Sequence, residues 1–265
     1  EAIAFAKQHG FESVAPDGSF LGALSDAELA ALLADMRAAG LAFGAAGLPV
    51  DFRGDEAKFR ADVAALAPFA RALARAAVTR AGTWVSPGHG ALTYRANFAQ
   101  HAARLREVAR VLGDAGLRLG LEYVGPKTSW TRARYPFIHT MAEMRELIAE
   151  IGRDNVGLVL DSWHWYTAGE TRTDLLSLAN ADVVAVDLND APAGIAVEAQ
   201  VDSRRELPAA TGVIDVKAFL SALIEIGYDG PVRAEPFNAE LRKLPAGEAV
   251  AATARAMKKA FAMIG

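Results

Sequence analysis

Four apolar runs in this chain, each suited to a strand, end on a carboxylate, and that recurrence constrains the fold more than any other feature. LRLGLEYVG delivers Glu122, VGLVLDSWHW delivers Asp161, VVAVDLND delivers Asp187 and GPVRAEPFN delivers Glu235. A parallel strand that feeds a helix points its carboxyl end at one common face, so acids placed there converge on a single mouth. Carboxylates crowded into a partly dry pocket repel one another unless a cation sits among them, arginine or lysine neutralises them, or some stay protonated. The grouping reads as a divalent metal site.

Helix and strand patterns alternate along the chain. Helices expected near 1 to 10, Asp26 to Ala39, Glu56 to Ala77, Tyr94 to Ala115, Met141 to Ile151, near Thr171, Val216 to Ile226 and Gly247 to Met263 separate the strands. The strands are FESVAPD, LAFGAAGLP, GTWVSPG and the four acid-bearing runs. Ser25 ahead of Asp26-Ala27-Glu28 is an N-cap signal. The count is seven strands and eight helices in 265 residues, a length that suits one barrel of roughly 250. The expectation is a single α/β domain over residues 1–265, a (β/α)₈ TIM barrel whose first strand is missing, its natural place being just before Glu1. The stretch from Ala191 to Ile214 exceeds the roughly two to six residues of a usual βα connection and reads as a lid or binding loop.

Charge and composition narrow the partners. Lys and Arg number 28 against 32 Asp and Glu, the net charge is -4 and no dense basic run occurs, which argues against nucleic acid. With no cysteine there is no disulfide, thiolate metal site or cysteine nucleophile. No apolar stretch approaches the roughly 20 residues of a membrane span, so no membrane partner is expected and the cytoplasm is the expected location. The chain starts within a helical pattern, without Met or a signal-peptide core, which leaves an upstream targeting sequence open. P-loop, G-x-G-x-x-G and nucleophile-elbow motifs are absent.

Each candidate has a bland alternative. D-S-W-H sets Asp161 and His164 three apart at a strand end, where both can turn into the pocket; a capping Asp and a satisfied His are the alternative. Glu122 ends a run that looks like barrel core, and a buried unpaired carboxylate is costly, unless it partners Lys127 or Arg132 across the next loop. Glu235 follows the same logic. Alternation in VVAVD puts Asp187 inside the barrel, whereas Asp190 is placed for capping or loop turning. Arg204 and Arg205 are either solvated surface or, for one of them, a ligand to a substrate oxygen or phosphate. Trp130, Trp163, Trp165 and Phe237 flank the acids with faces suited to sugar C–H groups, although packing accounts for at least two of them equally well. His89 in SPGHG, near Trp84, is a pocket or a turn residue; His9, His101 and His139 look structural.

Taken together, Glu122, D-S-W-H at 161 to 164, VDLNDAP at 186 to 192, RELP at 205 to 208 and AEPF at 234 to 237 resemble the sugar phosphate isomerase/epimerase family of xylose isomerase-like barrels. The match covers most of the chain from about residue 80. The resemblance implies one divalent metal held by Glu122, Asp161, Asp187 and Glu235. Many relatives have His at the third of these positions. A site of four carboxylates should favour Mn²⁺ or Mg²⁺, with Co²⁺ or Zn²⁺ less favoured.

The resemblance further implies proton transfer by Glu122 and Glu235 α to a carbonyl, through an enediolate, and substrate contacts from His164 and Arg205. Trp163, His89 and Lys127 are additional substrate-binding candidates. A metal-dependent sugar isomerase or epimerase leads. A lyase or dehydratase acting on a keto-sugar or keto-inositol follows, and a non-catalytic carbohydrate-binding protein comes last, kept open by Asp187. An endonuclease of this fold is disfavoured for want of histidines and a basic groove. The expected partner is a small carbohydrate; homo-oligomerisation is left open.

Overall fold

In the computed structural model, which describes residues 1–265, ten strand segments and eleven α-helices follow the expected rhythm. The strands are β1 (Ser13–Val14), β2 (Ala42–Phe43), β3 (Ala46–Gly47), β4 (Arg80–Trp84), β5 (Gly88–His89), β6 (Arg118–Glu122), β7 (Tyr135–Pro136), β8 (Val156–Asp161), β9 (Val183–Leu188) and β10 (Val232–Ala234). The helices are α1 (Ala2–His9), α2 (Gly18–Ala23), α3 (Asp26–Ala38), α4 (Glu56–Arg75), α5 (Tyr94–Gly113), α6 (Lys127–Trp130), α7 (Met141–Ile151), α8 (Ser162–Thr167), α9 (Arg172–Leu176), α10 (Val216–Glu225) and α11 (Ala246–Phe261).

Six strands form a curled parallel sheet in the order β3-β4-β6-β8-β9-β10, and β1 pairs in parallel with β2. The segment from Leu41 to Gly47 thus serves two neighbours, β1 through its first half and β4 through its second. This is a TIM barrel, and its ring is open between β10 and β1, which do not hydrogen-bond to each other. Leu119, Leu121, Leu158, Leu160, Val183 and Val186 turn outward into one buried cluster with the helices. Inside, the strands approach too closely for side chains everywhere: a Cβ on Gly120 would lie 2.7 Å from Val159 Cγ2 and 3.1 Å from Val184 Cβ.

Local chemistry sets the helix ends. Ser25 and Glu28 form the capping box expected at the start of α3, Thr140 and Glu143 repeat it at α7, and Asp161 caps α8 by accepting from Trp163 N–H at 2.8 Å. Helix α4 stops two residues before the expected Ala77, because Ala77 takes a left-handed φ of 58°. The short helices α2, α6 and α8 and the antiparallel β5–β7 pair were not in the expected pattern; segments of two to six residues are too short to display a period. No helix is long and apolar enough to cross a membrane.

The long loop after β9, expected as a lid or binding loop, is anchored from within by hydrogen bonds to buried polar side chains. Asp190, fully buried, accepts from the backbone N–H groups of Ala191 (2.8 Å), Thr211 (2.9 Å), Gly212 (2.7 Å) and Ile214 (2.9 Å). Its own backbone exchanges two hydrogen bonds with Glu206, and the buried Gln200 ties down the Pro192 and Ile195 carbonyls. These bonds hold Arg205 over the barrel mouth.

Candidate active site

Strand register assembles the acids. Trp84 is opposite Glu122, Asp161 opposite Asp187, and Arg233 opposite Asp187. Alternation then turns Trp84, Glu122, Asp161, Asp187, Arg233 and Glu235 to the inner face at the carboxyl ends. Ligand atoms of Glu122, Asp161 and His164 lie within 4.8 Å of one another, as do those of Glu122, Asp187 and Glu235. The four acids therefore share one mouth, with Glu122 common to both groups.

Two guanidiniums reach into that mouth. Arg205, only 2% exposed, places Nη1 2.7 Å from Asp161 Oδ2 and 3.0 Å from Glu235 Oε2, while Nη2 donates to Asp202 at 2.8 Å. Its plane lies 4.5 Å from the Phe237 ring centroid and 5.5 Å from that of Trp163. Burial rules out the solvated-surface alternative for this residue, and its partners are carboxylates. Arg233 grips both oxygens of Asp187, Nε to Oδ1 and Nη2 to Oδ2 at 2.7 Å each, and Nη2 also donates to Glu235 at 3.0 Å. Fork-on-carboxylate pairing of this kind fixes orientation as well as charge.

Glu122 has neither arginine as a hydrogen-bond partner, and its Oε1 is buried with no partner at all. Burial, reinforced by the charges of Asp161, Asp187 and Glu235, pushes its carboxyl well above the ordinary range. Burial, then Asp187 and Asp161, pushes Glu235 up to about 7. Asp187 is also raised by burial, against the opposing hydrogen bonds of Arg233. The four acids and Asp202 share only two guanidiniums, which leaves an excess of negative charge, and the cluster includes an orphaned buried oxygen. That donor set fits a hard divalent cation.

His164 stands beside this cluster. The Gly125 N–H points at Nδ1 from 3.2 Å and Arg205 Nη2 at Nε2 from 3.3 Å; both neighbours are donors, and a neutral ring accepts from one of them. Burial and then the charge of Arg205 lower its pKa to about 3, so the ring is neutral. Glycine at 125 is required by this packing, since a Cβ there would sit 2.5 Å from the His164 carbonyl oxygen.

Other candidates fall elsewhere. Trp163 is fully buried and backs Arg205 from behind, so it offers no face to a ligand; α8 turns it into the core. Lys127 is exposed on α6 and neither it nor Arg132 hydrogen-bonds to Glu122, so both the substrate role and the ion-pair alternative lose support. His89 uses Nδ1 to accept from Ala91 and Leu92 N–H at 3.0 and 2.7 Å, the turn role. Trp165 packs on Phe219 and Trp130 stacks on His139. Arg233 was missed by sequence reasoning. Its signal was its place two residues before Glu235, on the same face of the strand.

An open barrel with acids and arginines gathered at its carboxyl-end mouth defines the class. A profile described as xylose isomerase-like TIM barrel matches residues 3–260, and the chain belongs to that family. It is similar to inosose isomerase of Bacillus subtilis, 35% identical over 153 residues, which are 55% of this chain and 49% of that protein. It is also similar to 3-dehydroshikimate dehydratase of Pseudomonas aeruginosa, 29% identical over 143 residues, 53% of this chain and 21% of that protein. The chain thus spans about half the length of the inosose isomerases it matches, and less of the dehydratase. Among solved structures, a xylose isomerase domain protein from Alicyclobacillus acidocaldarius superposes with TM-score 0.85 at 32% identity, over 99% of this chain and 92% of that one. An IolI protein with a bound zinc atom shares the fold, with TM-score 0.81 at 21% identity over 100% and 93% of the two chains.

Proposed function

We propose that this protein is a divalent-metal-dependent isomerase or epimerase that moves a proton α to the carbonyl of a sugar derivative. The observation that carries this is the pairing of Glu122 and Glu235, two enclosed carboxyls with raised proton affinity, in one cluster with Asp161 and Asp187. One glutamate would take the substrate proton and the other restore one. Glu122, Asp161, Asp187 and Glu235 would hold the cation, with Mn²⁺ or Mg²⁺ preferred by an all-oxygen set. A bound divalent cation would polarise the carbonyl and stabilise the negative charge that develops beside it.

Asp187 and Arg233 act as a compensated pair. An acid in place of the family's imidazole adds one negative charge, and the bidentate Arg233 returns one positive charge. With Arg205 and its further partner Asp202 counted, a dication would offset most of the negative charge that the two guanidiniums leave. That residual negative charge favours a cation site over a degenerate one.

Elimination is the second reading. It is favoured by the similarity to a dehydratase. Metal analysis followed by NMR detection of solvent-deuterium exchange into ketoses and keto-inositols tests both. Glu122→Gln and Glu235→Gln should each slow exchange by on the order of 10²-fold or more. Unchanged exchange in both variants refutes the proton-transfer roles, and loss of a substrate hydroxyl alongside exchange selects the lyase.

A further inference from the structure

Arg53 is a cation whose side chain donates to no anion. It lies in the loop after β3, and its guanidinium is held between two rings, 4.2 Å from the Phe52 centroid and 4.1 Å from that of Trp84. Its hydrogen bonds go to neutral acceptors, the Thr83 hydroxyl at 2.9 Å and the Trp84 carbonyl, and its Nε is buried with no partner. The nearby Asp51 is engaged elsewhere, its Oδ1 accepting from the backbone N–H groups of Arg53 and Gly54 at 3.0 and 3.1 Å. By contrast, Arg104, Arg205 and Arg233 each reach a carboxylate. Burial without a partner is unfavourable for a guanidinium, and it lowers the pKa of Arg53 to about 10.

Trp84 connects this cation to the acids. It is the inward-facing end of β4, the register partner of Glu122, and 48% exposed despite being part of the barrel strand. Trp84 thus stands between the Glu122 register position and the Arg53 guanidinium, with part of its surface open.

We propose that Arg53 is the anion anchor of the substrate pocket, and that the substrate is a keto-polyol derivative carrying a carboxylate or a phosphate. Stacking between Phe52 and Trp84 holds the guanidinium plane, and with Nη2 spent on Thr83 and the Trp84 carbonyl, the charge and Nη1 are left for an oxyanion, which both groups supply. The proposal takes the position of the reacting carbons from the proton-transfer site above, and its test does not require turnover.

Calorimetric titration of the metal-loaded protein with D-fructose, D-fructose 6-phosphate and shikimate separates the cases. At least one anionic probe should bind about tenfold or more tightly than fructose. Arg53→Met should reduce that advantage to within about twofold and leave fructose affinity within about twofold, and Arg53→Lys should keep part of the advantage. A gain for fructose 6-phosphate identifies a phosphorylated substrate, and a gain for shikimate a carboxylate. Arg53→Gln, which retains donors for Thr83 and the Trp84 carbonyl, makes the same comparison should Met loosen the loop. No advantage for either anion, including no measurable binding, overturns the proposal, as does an advantage that survives Arg53→Met and Arg53→Gln. Absence of proton exchange on every substrate would withdraw the isomerase activity while leaving the anion preference to be read on its own.

Discussion

Replacing Arg205 with Met tests whether the acids are held together by guanidinium charge. The side chain is 2% exposed and its ion-pair partner Asp161 is fully buried. Methionine fills much of the volume, so the main loss is the countercharge to Asp161 and Glu235. Asp161 keeps Trp163 N–H and Asn189 Nδ2 on Oδ1, but Oδ2 loses its donor. Removing one partner of a buried pair costs roughly 3–5 kcal/mol. At about 2.1 cal/mol/K per residue, the unfolding entropy of this chain is on the order of 0.56 kcal/mol/K, so the melting temperature of the metal-free protein should fall by about 5–9 °C. Scanning calorimetry in chelator measures this. The same scan with excess Mn²⁺ should raise the variant's melting temperature more than the parent's, because a dication answers the charge that the arginine left behind. A loss below about 1 kcal/mol, or equal stabilisation of both proteins by Mn²⁺, would refute the charge argument.

Other expectations follow from the same geometry. Asp187→Ala and Arg233→Met should each weaken Mn²⁺ binding or stability on their own, yet the double variant should recover about 1–3 kcal/mol relative to their sum; additive losses measured by titration and melting would mean that the two do not act as a pair. Asp190→Ala removes the acceptor for four backbone N–H groups and should cost on the order of 3 kcal/mol, with new proteolytic cleavage between residues 191 and 214; an uncut loop would show that other contacts hold it. Burial raises the Glu170 carboxyl to about 7, so the folded state holds a proton that the unfolded chain has released, and stability should fall as pH rises from about 4.5 through 7, by at most about 3 kcal/mol. Denaturant titrations of Glu170→Gln should lack that part of the slope, and an identical slope in parent and variant would rule it out.

The barrel and its acids were legible because their signals are local. Glu122, Asp161, Asp187 and Glu235 each terminate a short apolar run, and inward alternation is set within the strand itself. The arginines were harder, since their roles depend on neighbours distant in sequence. Arg233 meets Asp187 only through the β9–β10 register, and within its own strand it looks like an interruption of an apolar run. Arg205 carried a solvent-exposed alternative because nothing in a loop sequence tells what Asp190 will pin it against. Trp163 illustrates the opposite error: standing between two site residues, it looked like a pocket wall, but a helix begins at Ser162 and rotates it into the core.

Pairing across β9 and β10 also constrains how such a site evolves. An aspartate at 187 without Arg233 is an enclosed anion that has lost its fork, and Arg233 without Asp187 keeps only its single bond to Glu235. On this charge argument each of the two residues is best tolerated when the other is present. Lineages of this barrel should therefore gain and lose Asp187 and Arg233 together, and a chain with one but not the other should carry a compensating charge elsewhere at the mouth.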